Sequence, residues 1–134
     1  MPERRTIERA QKDKREGKAA STQAGEFVRE EMDHIREGKH GARSAKQAIA
    51  IGLSKARRAG VDLAPPKPGR TSERTRKQAT RDLKKGQTTA KKKTSAKRSR
   101  ATTKALKREG SAAASHQALS RQAKRAARTR AAGR

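Results

Sequence analysis

Residues 21–38 read STQAGEFVREEMDHIREG, and their apolar side chains recur every three or four positions. This spacing places them on one stripe of a helix, which carries Ala24, Phe27, Val28, Met32 and Ile35. Ser21 and Thr22 are residue types that cap helix N-termini, and Gly38 is typical of a helix end. The pattern predicts a helix from about residue 21 to about residue 37.

A second amphipathic helix is predicted to follow. Ser44-Ala45-Lys46-Gln47 matches a capping box, in which a hydroxyl and an amide satisfy backbone N–H groups at the helix start. Gly60 is placed to end this helix, and prolines follow it. Its apolar stripe would carry Ala45, Ala48, Ile49, Gly52, Leu53 and Ala56, with Lys46, Arg57 and Arg58 on the far side. The two stripes predict a helical hairpin, or a three-helix module if residues 3–16 also form a helix.

The rest of the chain is poor in large apolar side chains. Leu, Ile, Val and Phe together number only 12 of 134 residues, and nine of them precede Ala64. With a formal net charge of +25, such a chain has too little apolar area to offset the entropy of ordering its backbone. The expected fold class is therefore mostly α with extensive disorder.

Three segments are expected from this distribution. A small α-helical module would span residues 1–63, and a Pro-rich linker residues 64–70. A basic, weakly helical, low-complexity tail would span residues 71–134, with marginal helices at about 72–85, 101–109 and 115–129. A homodimer would enlarge the small core of the module, and its contacts would be Phe27, Val28, Met32, Ile35, Ile49 and Leu53.

The charge is concentrated in the tail. Residues 71–134 carry 21 basic and 3 acidic side chains, against 17 and 10 in residues 1–70. This excess predicts binding to a polyanion, because each neutralised phosphate of a nucleic acid releases counterions. The expected nucleic-acid-binding residues are basic side chains of the second helix and the tail: Lys46, Lys55, Arg57, Arg58, Lys84, Lys85, Lys91, Lys92, Lys93, Lys97, Arg98, Arg100, Lys104, Lys107, Arg108, Arg121, Lys124, Arg125, Arg128 and Arg130.

The scarcity of aromatic residues bears on the kind of nucleic acid. Phe27 is the single aromatic residue of the sequence, and its pattern places it in a core. Proteins that bind single strands usually stack bases on aromatic side chains. Duplex DNA is therefore favoured over RNA, and the expected function is sequence-nonspecific DNA binding and compaction. Two alternatives stay open: a structured-RNA or ribosome-associated protein, and a helical adaptor that its basic tail only localises.

The sequence offers no catalytic pattern. It has no cysteine, which excludes disulfides, thiolate catalysis and cysteine-based zinc sites. His34, His40 and His116 show no accompanying carboxylate or nucleophile pattern, and their spacing matches no zinc motif. We therefore expect no enzyme activity, no metal and no cofactor. No apolar leader or spanning segment is visible, which predicts a cytoplasmic protein with no membrane partner.

The tripeptide Arg-Glu-Gly recurs at residues 15–17, 36–38 and 108–110, and each copy is followed by a serine and a Gln-Ala pair. One interpretation is that helix stops and caps reuse the same residue types. The other is a repeated unit that docks anions at a capped helix start, where backbone N–H groups point at the ligand.

Several of these stretches resemble a known family. Glu8-Arg9-Ala10, residues 21–31 and residues 34–60 are similar to small basic bacterial proteins catalogued as a domain of unknown function, some of which are labelled plasmid stabilisation or DNA-binding proteins. The resemblance covers about residues 3–70 and concerns composition alone beyond them. It implies a bacterial cytoplasmic or nucleoid location and carries no catalytic or binding residues. The alanine- and lysine-rich tail is also similar in composition to linker-histone-type bacterial proteins.

Overall fold

The computed structural model of the protein describes residues 3–88 and 96–132. Within these ranges the chain forms six α-helices: α1 (Arg4–Arg15), α2 (Ala20–Arg36), α3 (Ala45–Arg58), α4 (Glu73–Gln87), α5 (Ala96–Lys107) and α6 (His116–Ala132). A 3-10 turn at Ala112–Ala114 precedes α6. The chain divides into two units: unit 1 comprises Met1–Glu30 and Ala50–Lys93, and unit 2 comprises Glu31–Ile49 and Thr94–Arg134.

The expectation of extensive disorder with a weakly helical tail is wrong. Helices α4, α5 and α6 fill most of the described part of residues 71–134. The physical reason lies in the small size of the core residues. Nine of the thirteen buried apolar residues in the described ranges are alanines. Alanine lets helix backbones pack closely at little cost in side-chain entropy, so a count of large apolar residues underestimates how much of this chain can be ordered.

Serine hydroxyls cap the starts of three helices. Each accepts a hydrogen bond from the backbone N–H three residues further on, which satisfies one of the donors that a helix start leaves unpaired. The pairs are Ser44 with Gln47 at 3.1 Å for α3, Ser72 with Thr75 at 3.2 Å for α4, and Ser115 with Ala118 at 3.1 Å for α6. The capping box of α3 differs in one respect from the prediction, because the Gln47 amide oxygen accepts from the Arg43 N–H.

Helix α2 begins one residue before its predicted caps. Its first N–H groups bond to the carbonyl of Ala19, so Ser21 and Thr22 lie inside the helix. Its end agrees with the prediction, since the helix stops at Arg36 and Gly38 follows with φ +79°.

The Arg-Glu-Gly copies at residues 15–17 and 36–38 are helix stops. Gly17 and Gly38 both have left-handed backbones, at φ +76° and +79°. The N–H of Lys18 bonds to the carbonyl of Asp13, and the N–H of Lys39 bonds to that of His34, which is the six-to-one bond of a Schellman motif. The third copy differs, because the Gly110 backbone is not left-handed. A helix also ends at the third copy, because α5 stops at Lys107, but it does so without the left-handed glycine.

The core of unit 1 surrounds Phe27, which is 1% exposed. Helices α1, α2 and α3 contribute to it, and the buried members of the cluster are Ala10, Ala24, Phe27, Ala56 and Val61. Gly52 lies against the backbone of Val28, where an added Cβ would come 2.7 Å from the Val28 Cα. Helices α2 and α3 therefore touch at a point where only glycine fits.

A buried carboxylate joins α4 to α3 within unit 1. Asp82 is 1% exposed, and its oxygens accept hydrogen bonds from three side chains. The Ser54 hydroxyl donates at 2.7 Å, Arg58 Nε at 2.8 Å and Gln78 Nε2 at 3.1 Å. Close to these bonds, Gly86 packs directly on the carbonyl of Arg57 and leaves no room for a side chain. Both contacts hold α4 along the C-terminal part of α3.

The Pro-rich segment 64–70 belongs to unit 1, and arginine side chains bind the backbone at its start. Arg57 Nε donates to the Leu63 carbonyl and Arg57 Nη2 to the Ala64 carbonyl, both at 3.0 Å. Arg76 Nε donates to the Pro66 carbonyl, also at 3.0 Å. Since proline has no N–H to donate, arginine donors are well suited to satisfy the carbonyls of such a segment.

Unit 2 is joined by backbone contacts. The N–H of Gly41 donates to the Leu106 carbonyl at 2.8 Å, and the N–H of Ala42 donates to the Gly110 carbonyl at 3.0 Å. Gly41 lies so close to the Glu109 carbonyl that no Cβ would fit. The segment after α2 therefore binds the end of α5 through its backbone.

The residues proposed for a homodimer are largely covered within a single chain. Phe27, Met32 and Ile35 are 1%, 5% and 0% exposed, and Val28, Ile49 and Leu53 are half-buried. A dimer through these side chains would lack its central apolar contacts, and we do not propose it.

We expect Asp82→Asn to lower the free energy of unfolding by about 1–3 kcal/mol, because it weakens hydrogen bonds to a charged, buried acceptor. The control is Asp62→Asn, since Asp62 lies in the same unit and is exposed. Urea denaturation followed by circular dichroism would measure both. Equal midpoints for the two variants would show that Asp82 does not hold α4 in place.

Two glycine-to-alanine variants should have opposite effects. Gly52→Ala should lower the free energy of unfolding by about 1–3 kcal/mol, because the new methyl group meets the Val28 backbone. Gly25→Ala should raise it by about 0.5–1 kcal/mol, because Gly25 is an exposed position of α2 with open space around its Cα. Thermal denaturation of both variants tests the α2–α3 contact, and stabilisation by Gly52→Ala would contradict it.

Candidate nucleic-acid interface

Helix α5 presents a stripe of basic side chains to solvent. Every residue of α5 is exposed except the half-buried Leu106, and none is acidic. At about 100° per residue, four cations fall within an arc of about 80° and span about 15 Å along the helix. They are Lys97, Arg100, Lys104 and Lys107. Leu106 lies on the opposite side of the helix from this stripe.

Helix α6 carries a second stripe. Four exposed cations fall within an arc of about 100°: Arg121, Lys124, Arg125 and Arg128. The half-buried side of the helix faces away from them and carries Ala118, Leu119, Gln122 and Ala126. A shallow groove of about 480 Å³ lies along the start of the stripe and is lined by His116, Gln117, Ser120, Arg121 and Lys124. The residues that line it are all of polar or charged types.

Helix α4, in unit 1, repeats the spacing found on α5. Its exposed cations are Arg74, Lys77, Arg81, Lys84 and Lys85. The first four have the same intervals of three, four and three residues as the stripe of α5. The buried residues Ala79 and Asp82 lie on the opposite face. Of this stripe, only Lys84 and Lys85 were among the predicted binding residues. The regular spacing of Arg74, Lys77 and Arg81 in the sequence is a signal that could have identified the other three.

Few acids oppose these stripes. The described part of residues 71–134 has three acids. Asp82 is buried, both oxygens of Glu73 accept from Arg76 Nη1 at 2.9 and 3.0 Å, and Glu109 is exposed just beyond the end of α5. Helices α5 and α6 contain no acidic residue. In helix α1, by contrast, acidic side chains lie next to basic ones. Arg4 Nε is 3.0 Å from Glu8 Oε1, and Lys12 Nζ is 3.9 Å from Glu16 Oε1. The unopposed positive charge is therefore a property of the later helices.

Most of the predicted nucleic-acid-binding residues are exposed. Besides members of the three stripes, the exposed ones are Lys46, Arg58, Arg98, Arg108 and Arg130. Lys55 is half-buried. Arg58 Nε also forms an ion pair with Asp82 Oδ1, which partly neutralises the charge of Arg58. Lys91, Lys92 and Lys93 lie outside the described residues.

Arg57 does not lie on the solvent face where the sequence placed it. It is 7% exposed and donates to two backbone carbonyls. Burial lowers the pKa of Arg57 from its usual value, and attraction to Asp82 opposes that shift. Because its donors serve the fold, we leave Arg57 out of the interface.

The histidines are also placed differently from the prediction. His40 Nε2 lies 3.1 Å from Glu31 Oε2, so the expectation that no carboxylate accompanies the histidines is wrong. The sequence does not place Glu31 beside His40, because the two residues are nine positions apart and meet only through the turn at Gly38.

Comparisons of the chain with protein-family models, with curated proteins and with solved structures find no match. The resemblance to small basic bacterial proteins therefore stays a prediction, and function has to be argued from the residues. Within residues 3–88 and 96–132, no helix is both long and apolar enough to cross a membrane.

Proposed function

We propose that the protein binds duplex DNA through the basic stripes of α4, α5 and α6, with little preference for sequence. The observation that supports this most is the arrangement of exposed cations on three helices. Helices α5 and α6 carry no acid, and the two acids of α4 are the buried Asp82 and Glu73, which is paired with Arg76. Such stripes attract phosphates, and each phosphate contact releases counterions and adds to affinity.

The size of the stripes suits a duplex. An α-helix with its side chains is about 10–12 Å wide, and the major groove of B-DNA is about 12 Å wide. A helix lying in or along that groove can reach phosphates with a stripe of cations. The major groove of A-form RNA is deep and narrow, which argues for DNA as the preferred duplex.

The composition of the exposed helix faces favours nonspecific binding. Base edges are read mainly by Arg, Asn and Gln held in fixed positions, whereas contacts to phosphate carry no sequence information. Helix α5 has no Asn or Gln at all. Single-stranded bases usually stack on exposed aromatic side chains. Phe27, the single aromatic residue of the sequence, is buried and cannot serve this purpose.

Each unit has its own basic surface, with α4 in unit 1 and α5 and α6 in unit 2. Two binding surfaces on one chain raise the effective concentration for a second contact once the first has formed. We propose that this allows one chain to contact two DNA segments, which is a mechanism of compaction. In this mechanism folded helices present the cations, and a disordered tail is not needed.

The deciding experiment compares binding of the full chain to a duplex DNA and a structured RNA of equal charge, across a range of salt concentrations. We expect tighter binding to DNA at every salt concentration and a linear fall of log K with log salt. Fluorescence anisotropy would measure both ligands. Tighter binding to RNA would favour the RNA-binding alternative, and negligible binding of both at physiological salt would favour an adaptor role.

A second experiment tests the stripe of α5. Changing Lys97, Arg100, Lys104 and Lys107 to Gln should reduce the steepness of the salt dependence by about 3–4, because each lost phosphate contact removes about 0.9. The matched control changes Arg4, Arg5, Lys12 and Lys14 of α1 to Gln, which removes the same net charge from exposed positions of another helix. This control should change the slope by less than about 1. Equal changes in both variants would show that net charge matters and the stripe does not.

A further inference from the structure

Unit 2 brings together three side chains that the DNA-binding proposal does not use. Glu31 and His34 are three residues apart on α2, which places them on the same face of the helix. The left-handed backbone of Gly38 then turns the chain back, and His40 returns to the side of Glu31. One donor atom from each of Glu31, His34 and His40 lies within 4.8 Å of the other two.

Glu31 and His40 are largely shielded from water, and His34 is half-buried. The side chain of Glu31 is 1% exposed and that of His40 is 13% exposed. The rings of His34 and His40 are 6.1 Å apart and nearly perpendicular, at 80°. A carboxylate buried to this degree is costly unless a positive charge or hydrogen bonds compensate it. The neighbouring His40 ring supplies part of this compensation for Glu31.

The hydrogen bonds of His40 define its role. Its Nδ1 lies 2.9 Å from the Gly41 carbonyl oxygen, which can only accept, so Nδ1 carries a hydrogen. In the neutral ring, this leaves the lone pair of Nε2 directed at Glu31 Oε2, 3.1 Å away. This contact is attractive when the two groups share a cation, which is either a proton on Nε2 or a metal ion beside both atoms. Metal-bound histidines are typically held in this way, with one ring nitrogen donating to a backbone carbonyl and the other facing the metal.

We propose that Glu31, His34 and His40 bind a divalent transition-metal cation, Zn²⁺, at the end of α2. Two imidazoles and a carboxylate form a ligand set that suits zinc, with bonds of about 2.0–2.2 Å. Such bonds place neighbouring ligand atoms roughly 3.4 Å apart in a tetrahedral site. The His40–Glu31 distance of 3.1 Å is already close to this value. Three protein ligands leave the fourth position for water or another small ligand.

A metal here would stabilise the contact on which unit 2 depends. His40 directly precedes Gly41 and Ala42, whose N–H groups bond to the carbonyls of Leu106 and Gly110. Zinc binding would fix this segment against α2 and strengthen its hold on the end of α5. Because a ligand that binds only the folded state stabilises it, the melting temperature should rise with zinc concentration.

The test uses the full chain, freed of nucleic acid at high salt and of metal with a chelator. We expect calorimetry to show one Zn²⁺ per chain and an increase in melting temperature, and no competition from Mg²⁺, which prefers an all-oxygen site. His34→Ala and His40→Ala should each weaken zinc binding by at least about 100-fold. The matched control is His116→Ala, because His116 is an exposed histidine outside the cluster, and this variant should bind zinc like the unaltered chain.

A second measurement covers the case in which a variant fails to fold. In the unaltered chain labelled with ¹⁵N, zinc should shift the ring-nitrogen resonances of two histidines and leave the third unchanged. Glu31→Gln keeps the size of the side chain and should weaken binding while the circular dichroism spectrum stays the same. Absence of zinc binding, or binding that is lost in His116→Ala and kept in His34→Ala, would overturn the proposal and leave Glu31 and His40 as a simple ion pair.

Discussion

The buried carboxylate of Asp82 determines how α4 lies on α3. Its oxygens accept from Ser54 and Arg58 of α3 and from Gln78 of α4 itself. Because an uncompensated buried charge is strongly unfavourable, α4 can be buried only in the register that completes these bonds. That register leaves the basic stripe of α4 on the opposite, exposed face. One acid in a highly basic segment thereby sets the direction in which its cations point.

In unit 2, backbone hydrogen bonds make the corresponding contact with α5. Gly41 and Ala42 donate backbone hydrogen bonds to the end of α5, and glycine at position 41 allows the two segments to meet. Backbone donors and small residues need little apolar area, which suits a chain with few large aliphatic side chains. Helix α5, with no buried residue, is thus joined to its unit by the carbonyls at its end and leaves nearly all of its surface to solvent.

Local pattern was sufficient to predict the helices but not their packing. Periodicity and glycine positions predicted α2 and α3 to within about two residues, as expected for element boundaries. Composition led to the wrong fold class, because a count of large apolar residues does not show close packing by alanine. It also does not show that a buried carboxylate such as Asp82 can join two helices through hydrogen bonds. Most of the candidate interface could be predicted because it consists of Lys and Arg, which the sequence shows directly and which are usually exposed. Arg57 and Glu31 could not be placed, since their burial depends on contacts with residues that local spacing does not reveal.

The folded state of the later helices changes what the net charge of +25 can do. In a disordered tail, each phosphate contact would have to offset backbone ordering of about 1–2 kcal/mol per residue. In α4, α5 and α6 that cost has already been met by folding, so more of each proposed phosphate contact would contribute to the binding free energy. Repulsion within each stripe is the remaining cost, and neutralisation by phosphate relieves it. A preformed stripe should therefore bind more tightly per contact than a flexible tail of equal charge, while remaining indifferent to sequence.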